Sequence, residues 1–332
     1  MLRKLSLFVA LALSMPLPAR AACSYFAALE RDVTQPSQRA FVTWDAQEKM
    51  ETFTVQPVFK GNADDFGMVI PTPGQPKLKE APREIFKDLA LYTVLEPRPC
   101  SMPKRSMRAF AEDDGSMNEK KKSTVKVLEA GVVGTLDYKI ISAEKASDLY
   151  DWLKEHRYSF AGDTETLDFY VKKHWLFTVM KIDPKQMKKD ASGSYTGEVS
   201  PTRFQFSSPE LVYPLKITAL SVKDSTEALF YVLTDRRIDL PGSHLEYAKR
   251  LNAGDLAKLD KGPVPIPQSS QLYHSPVQSW DFKGLKGWLK EGQYLTKVRR
   301  TFTKGEMTDD LRIGYSKDQS EYTSYEDCGT PP

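Results

Sequence analysis

Residues 39–59 read RAFVTWDAQEKMETFTVQPVF, and this stretch decides the fold class. Two runs of β-branched and aromatic residues, 39–44 and 52–59, flank the short polar stretch 45–49. Two such runs joined by a few polar residues are typical of an antiparallel hairpin. Because proline cannot donate a hydrogen bond to a neighbouring strand, Pro57 indicates a sheet edge or a bulge in the second strand.

The rest of the chain continues this strand-rich pattern around one pair of helices. Apolar residues recur at helical spacing in 143–156 and 163–174, whereas the runs on either side favour strands. We therefore predict an α+β protein, rich in strands, with two sheet-containing parts and a helical pair between them. The predicted segments are a signal peptide (1–21), an N-terminal strand-rich part (22–133), a central α/β part (134–262) and a C-terminal helix and hairpin extension (263–332).

Shorter elements are predicted between the turn residues. The run 66–70 reads as a strand that ends before Pro71, and 82–92 has helical spacing. The run 211–220 is a predicted strand, and 285–289 is a predicted short helix.

The first residues have the pattern of a cleavable secretory signal. Arg3 and Lys4 precede the apolar run 5–15, and the small residues Ala19 and Ala21 match the peptidase site. We expect cleavage after Ala21 and a periplasmic or secreted protein without a transmembrane anchor. A retained N-terminal anchor is the alternative, although the apolar run is shorter than the about 20 residues that cross a bilayer.

The charge balance argues against a nucleic-acid partner. The chain has 47 basic and 44 acidic residues, and loss of Arg3, Lys4 and Arg20 with the signal leaves 44 of each. Binding to a phosphate backbone depends on an excess of basic residues, which the mature chain lacks.

Three cysteines remain after cleavage: Cys23, Cys100 and Cys328. Their spacing is too wide for a CxxC redox or zinc motif. Outside the cytoplasm, oxidation is favoured, so we predict one disulfide and one free thiol. The sequence leaves all three pairings open, and three free thiols are the alternative.

The common catalytic and cofactor motifs are absent from the sequence. It contains no nucleophile elbow, HExxH zinc motif, dinucleotide fingerprint or P-loop. The four histidines share no ligand spacing, so we predict no metal or cofactor and identify no catalytic residue. A Cys100–His174 dyad is an alternative that requires the two side chains to meet in space.

Two tryptophans near the C-terminus are the candidate binding residues. Trp280 and Trp288 lie at the ends of the segment WDFKGLKGW, among glycines and lysines. Exposed together, they would form an aromatic binding face for an envelope protein or a cell-surface glycan. The alternative is a short amphipathic helix packed on a sheet.

Several blocks of the sequence together resemble one bacterial family. They are ACSYF (22–26), QRAFVTWD (38–45), DFGMVIPTP (65–73), VYPLKITAL (212–220) and ALFYVLTDRR (228–237). The chain resembles the exported bacterial proteins grouped as domain of unknown function 2330. The resemblance implies a common fold, and it implies no activity, cofactor or site residue.

Taken together, these features favour a non-enzymatic envelope protein that binds a protein or a polymer. One alternative is a hydrolase or transferase whose site is assembled from distant residues, and another is a small-ligand receptor with a cleft between two lobes. An enzyme should have a concave pocket with converging polar groups and shifted pKa values. A binding protein should have an apolar or aromatic patch with a polar rim.

Overall fold

The computed structural model describes residues 25–28, 34–56, 58–61, 66–93, 125–134, 136–158, 163–182, 188–189, 195–198, 200–222, 224–265 and 279–323. The predicted signal peptide, 1–21, lies outside these residues. The described strands are β1 (Tyr25–Ala28), β2 (Thr34–Asp45), β3 (Met50–Val55), β4 (Val58–Gly61), β5 (Phe66–Thr72), β6 (Lys77–Glu80), β7 (Lys126–Val133), β8 (Leu136–Ser142), β9 (Leu176–Ile182), β10 (Lys188–Lys189), β11 (Tyr195–Glu198), β12 (Thr202–Ser207), β13 (Val212–Tyr213), β14 (Ser225–Thr234), β15 (Ile238–Asp239), β16 (His244–Arg250), β17 (Val264–Pro265), β18 (Ser279–Trp280), β19 (Tyr294–Thr303), β20 (Leu311–Arg312), β21 (Gly314–Tyr315) and β22 (Tyr322–Thr323). The described helices are α1 (Ile85–Tyr92), α2 (Ala146–Glu155), α3 (Thr164–Lys172) and α4 (Ala253–Asp260).

Eleven strands form the larger sheet, and β2 is its branch point. One edge of β2 pairs with β4 and then with β3, and the other edge pairs with β14 in parallel. The main order is β10-β11-β4-β2-β14-β19-β16-β22, while β12 and β6 continue from β3. The predicted hairpin is confirmed as β2–β3, with Ala40 opposite Val55 and Asp45 opposite Met50. The single strand predicted at 52–59 is wrong: two strands, β3 and β4, lie on either side of Pro57, which lacks the N–H that a ladder needs.

Five antiparallel strands form the smaller sheet, in the order β1-β5-β9-β8-β7. The prediction that β5 ends before Pro71 is wrong, because Pro71 pairs with Phe177 of β9. On the other edge of β5, the pairing with β1 stops at Val69, so Pro71 has a described partner strand on one side only. A sheet tolerates proline in that setting.

The main core fills the space between the two sheets. Strand residues alternate between the faces of a sheet, so every second side chain points inward. Phe53, Phe204 and Phe230 of the larger sheet meet Ile140 and Met180 of the smaller sheet in one buried cluster. Burial of this apolar surface holds the sheets face to face.

The predicted helical pair is confirmed as α2 and α3. Both helices cover the outer face of the smaller sheet, where Leu149, Leu153 and Leu167 pack on Phe177. The backbone N–H of Thr166 donates to the Asp163 side chain, 2.6 Å away, which caps the start of α3.

A thinner layer covers part of the outer face of the larger sheet. It consists of α1, α4 and the segment 280–289, and it packs on Phe41, Tyr231 and Leu295. The helix predicted at 285–289 is wrong: a 3-10 turn, Lys283–Leu285, is followed by Gly287 at φ +77°, a conformation that ends a right-handed helix.

Two other elements differ from the sequence predictions. The strand predicted at 211–220 is the two-residue β13 followed by a 3-10 helix, Lys216–Ser221, because Pro214 interrupts the run. Helix α4 was not predicted. Its start is a capping box in which Asn252 and Asp255 exchange hydrogen bonds between side chain and backbone.

The protein is α+β and strand-rich, as predicted, with layers in the order helix, sheet, sheet, helix. The predicted segments 22–133, 134–262 and 263–332 each contribute strands to the larger sheet. Within the described residues, no helix has the length and apolar character needed to cross a membrane.

Candidate functional site

A polar groove lies on the outer face of the larger sheet, where the covering layer stops. It has a volume of about 580 Å³. Its floor is a row of four residues in register across adjacent strands: Gln205 of β12 lies opposite Thr52 of β3, Thr52 opposite Thr43 of β2, and Thr43 opposite Leu233 of β14. The strands are about 4.8 Å apart, so the groove crosses them with a regular spacing of side chains.

Three parts of the chain supply the walls of the groove. The β2–β3 hairpin contributes Trp44, Asp45, Glu48 and Met50; the segment after the 3-10 turn contributes Lys286, Gly287, Trp288, Lys290 and Gln293; and the end near β6 contributes Glu80, Pro82 and Arg203.

Trp288 is held in place by contacts on the sheet. Its ring centroid is 5.7 Å from that of Phe41, with the planes tilted by 48°. The guanidinium carbon of Arg203 lies 5.1 Å from the Trp288 ring centroid, a cation–π distance. The groove therefore presents a fixed tryptophan–arginine pair rather than a bare aromatic face.

The charges are divided between the two sides of the groove. Lys286 and Lys290 lie on the side of Trp288, and Asp45 and Glu48 lie on the hairpin side. Asp45 also shapes its turn, since its Oδ1 accepts hydrogen bonds from the backbone N–H groups of Gln47 and Glu48, each at 3.0 Å. A ligand in the groove would thus meet basic groups on one side and acidic groups on the other.

Trp280 has a different role and does not line the groove. Its Nε1 donates to Asp88 Oδ1 at 2.7 Å, and the backbone N–H of Gly284 donates to Asp88 Oδ2 at 2.7 Å. Lys87 Nζ lies 3.7 Å from the Trp280 ring centroid. Asp88 is fully buried on α1, and burial raises the pKa of its carboxyl despite these hydrogen bonds. Trp280 thus fastens the segment to α1, whereas Trp288 faces the groove.

Two buried groups of polar and charged side chains lie away from the groove and connect elements of the fold. Tyr170 of α3 donates to Asp310 at 2.6 Å, and burial raises the pKa of Asp310. On the larger sheet, Glu246 accepts from Arg299 and lies 2.8 Å from Lys297. Burial acts to raise the pKa of Glu246, but its two basic partners outweigh burial and hold it below the usual value.

The other sequence candidates lie apart from the groove. Cys23, Cys100 and Cys328 lie outside the described residues, so the disulfide and the Cys100–His174 dyad stay predictions. His174 follows α3 in a left-handed backbone conformation, φ +56°. Within the part of the chain that the structure describes, no group of three or more His, Cys, Asp or Glu residues could hold a metal ion.

Sequence reasoning identified Trp288 but missed the floor of the groove. Gln205, Thr52 and Thr43 are outward members of alternating strands, and alternation within one strand cannot show which residues of other strands lie beside them. Only the long-range pairing of β12 with β3, and of β2 with β14, brings them into one row.

Comparison with known proteins gives one family and one weak structural likeness. No curated protein matches the sequence. Among solved structures, the crystal structure of baculovirus P35 aligns at 11% identity over 88% of this chain and 99% of that chain, with a TM-score of 0.34, which is too low to support an argument. Residues 17–313 match the family described as uncharacterized protein conserved in bacteria, DUF2330, and the chain belongs to that family.

Proposed function

We propose that the protein acts outside the cytoplasm and binds a glycan in the groove beside Trp288. The observation that carries this proposal is the row Gln205, Thr52 and Thr43, which places amide and hydroxyl groups at the spacing of the strands beside a fixed tryptophan. Gln205 and Thr43 are half-buried, and Thr52 is buried between them. A sugar ring has hydroxyl edges and C–H faces, so it suits a site that combines polar side chains with an aromatic ring. The opposite charges of the walls favour a glycan that carries substituents of both signs.

A protein partner fits the groove less well than a glycan. Protein interfaces have a desolvated apolar centre, which on a free chain is an exposed apolar patch. The large hydrophobic side chains exposed in the described structure are Val127, Leu128, Val132 and Tyr322, and none of them lines the groove.

A hydrolase or transferase also has less support. Carboxyl groups with a raised pKa are common at catalytic sites. In the described residues these groups are Glu51, Asp88 and Asp310, and all three lie outside the groove lining. The lining contains no Ser, Cys or His. Its carboxylates are Asp45, Glu48 and Glu80, and Asp45 Oδ1 already accepts two hydrogen bonds within its own turn.

The experiment is co-sedimentation of the mature chain, starting at Ala22, with purified bacterial peptidoglycan sacculi. This insoluble glycan carries hydroxyl, amide, carboxylate and amine groups. We expect saturable binding that Trp288→Ala weakens by at least tenfold, because an aromatic side chain in contact with a ligand often contributes about 2 kcal/mol. Gln205→Ala should also weaken binding by about tenfold, because it leaves a ligand group without its hydrogen-bond partner.

Trp280→Phe is the matched control, since Trp280 belongs to the same segment but does not line the groove. It should keep wild-type binding and lose only the hydrogen bond to Asp88. Binding that is absent, or that is equally strong in the Trp288 and Gln205 variants, would refute the proposal. Release of soluble reducing ends from the sacculi would favour a hydrolase instead.

A further inference from the structure

The side chain of Arg203 is a cation in the groove that no described acidic group neutralises. Arg203 is half-buried at the end of the groove near β6, and its guanidinium lies over the Trp288 ring. Among the described residues, no hydrogen bond and no ion pair involves this guanidinium. Charged groups that are withdrawn from water usually have a partner of opposite charge. The N–H donors of Arg203 are therefore available to a ligand.

The neighbours of Arg203 in the sheet do not supply the missing acceptor. On one side of β12 Arg203 lies opposite Lys79 of β6, and on the other side it lies opposite Thr54 of β3. Like charges directly opposite each other on adjacent strands are destabilising. Lys79 is exposed and also has no ion-pair partner in the described structure. The sheet thus places two cations side by side, an arrangement that a bound anion would stabilise.

Glu80 lines the same end of the groove but forms no ion pair with Arg203. Its carboxyl lies against Gly134, where a Cβ would be 3.1 Å from both Cδ and Oε1 of Glu80. Gly134 has φ +56°, a conformation that favours glycine. The Glu80 carboxyl therefore occupies the space that the glycine leaves instead of neutralising Arg203.

We infer that Arg203 binds a carboxylate of the glycan, and that this contact selects a carboxylated glycan over a neutral one. The inference rests on the proposed function, because it names the group that the groove recognises. A guanidinium donates two parallel hydrogen bonds to a carboxylate. The cation–π contact with Trp288 holds the guanidinium in place before a ligand arrives, which reduces the entropy lost upon binding.

The acidic residues of the groove favour separate carboxylates over a densely charged polymer. Asp45, Glu48 and Glu80 all belong to the lining. A polymer with a phosphate in every repeat would bring negative charges against these side chains, which is unfavourable. A glycan with separate carboxylates can place one of them at Arg203 and present neutral or amine groups to the acidic residues.

The two lysines of the lining are weaker candidates for this contact. Lys286 and Lys290 are both exposed, and Lys286 Nζ already lies 3.7 Å from Asp260 Oδ1. Ion pairs between exposed side chains contribute little, because water screens them and both side chains lose conformational freedom. Arg203 is half-buried and fixed, so it is the residue expected to distinguish ligands.

The test is co-sedimentation with native sacculi and with sacculi whose carboxyl groups have been converted to amides by carbodiimide and ammonia. We expect amidation to weaken wild-type binding by about tenfold, because it removes charge-assisted hydrogen bonds. Arg203→Gln should bind native sacculi about tenfold more weakly than the wild type, and amidation should weaken it by less than about twofold further.

Lys77→Gln is the matched control. Lys77 is exposed on the same face of the sheet, opposite Gln205, but it does not line the groove. This variant loses the same charge as Arg203→Gln, and it should respond to amidation as the wild type does. Circular dichroism checks that both variants fold. The wild-type comparison of the two kinds of sacculi requires no variant, so it tests the inference even if Arg203→Gln folds poorly.

The outcomes separate recognition of a carboxylate from a structural role of Arg203. If Arg203 only held Trp288 in place, amidation would weaken Arg203→Gln as much as the wild type, and that result would overturn the inference. Equal wild-type binding to native and amidated sacculi would overturn the inference and leave the proposed function intact. Absence of wild-type binding to native sacculi would refute the proposed function, and this inference with it.

Discussion

The two faces of the larger sheet are built from the same strands but from different side chains. On the inner face Phe53, Phe204 and Phe206 are buried against the smaller sheet. On the outer face, their sequence neighbours Thr52 and Gln205 form the floor of the groove. Neighbouring residues of one strand thus have different roles, because one packs in the core and the next lies on the side of the groove.

We expect the inner face to determine the stability of the protein and the outer face to determine ligand binding. A fully buried aromatic side chain cannot be changed without loss of packing. On the outer face Thr52 and Leu233 are also buried, at 4% and 1% exposure, whereas Gln205 is only half-buried. Substitutions on the inner face should therefore reduce the free energy of unfolding, and substitution of Gln205 should reduce binding alone. Three predictions test this division, starting with the largest effect.

Phe53→Ala should destabilise the protein by about 3 to 5 kcal/mol, the usual cost of removing a buried phenylalanine. Phe53 is stacked on Phe204 at a centroid distance of 4.9 Å and meets Phe206 edge-on at 5.6 Å. Urea unfolding measures the loss. Gln205→Ala on the other face is the control, with an expected change within about 0.5 kcal/mol. Equal losses for the two variants would remove the distinction between the faces.

Asp88→Ala should destabilise the protein by about 2 to 3 kcal/mol, because its carboxyl accepts hydrogen bonds from Trp280 and Gly284 in a buried site. Asp88 holds the layer that covers the outer face, so this variant measures how much that layer contributes to the free energy of unfolding. Asp88→Asn retains one acceptor oxygen and should lie between the wild type and Asp88→Ala in urea unfolding. An unchanged midpoint for Asp88→Ala would mean that Trp280 does not fasten the segment.

The pH dependence that Glu51 causes should give the smallest change in stability for each step of one pH unit. Glu51 faces the buried core; its Oε2 accepts from Val212 N at 3.1 Å, and its Oε1 has no hydrogen-bond partner. Burial raises the pKa of Glu51 well above its usual value, outweighing that hydrogen bond. The folded state therefore holds this proton more tightly than the unfolded state, whose pKa is about 4.3. The stabilisation is complete below that pH and is lost as pH rises through the folded-state pKa.

Urea unfolding of the wild type and Glu51→Gln between pH 4 and 8 measures this loss. The wild type should lose stability relative to the variant by at most about 1.4 kcal/mol per pH unit. The pKa values of Asp88 and Asp310 are also raised. Their contribution to the pH dependence is the same in the wild type and the variant, so the difference between the two curves reports Glu51 alone. Parallel curves would show that Glu51 is ionised in the folded protein.

The sequence predicted local elements better than the site they build. The β2–β3 hairpin and α3 follow from alternation and capping within about ten residues, so they could be predicted. Trp288 could be proposed as a binding residue because it lies among glycines and lysines in the segment WDFKGLKGW. The row that joins Gln205 to Thr52 depends on pairing between β12 and β3, about 150 residues apart, which no local pattern encodes.

Hydrogen–deuterium exchange of the mature chain with and without soluble peptidoglycan fragments shows whether a glycan binds in the groove. We expect slower exchange upon binding at residues 43–52, 203–205 and 286–293, which line the groove. Protection confined to other parts of the chain, or no protection at saturating fragment, would contradict the assignment of the groove as the binding site.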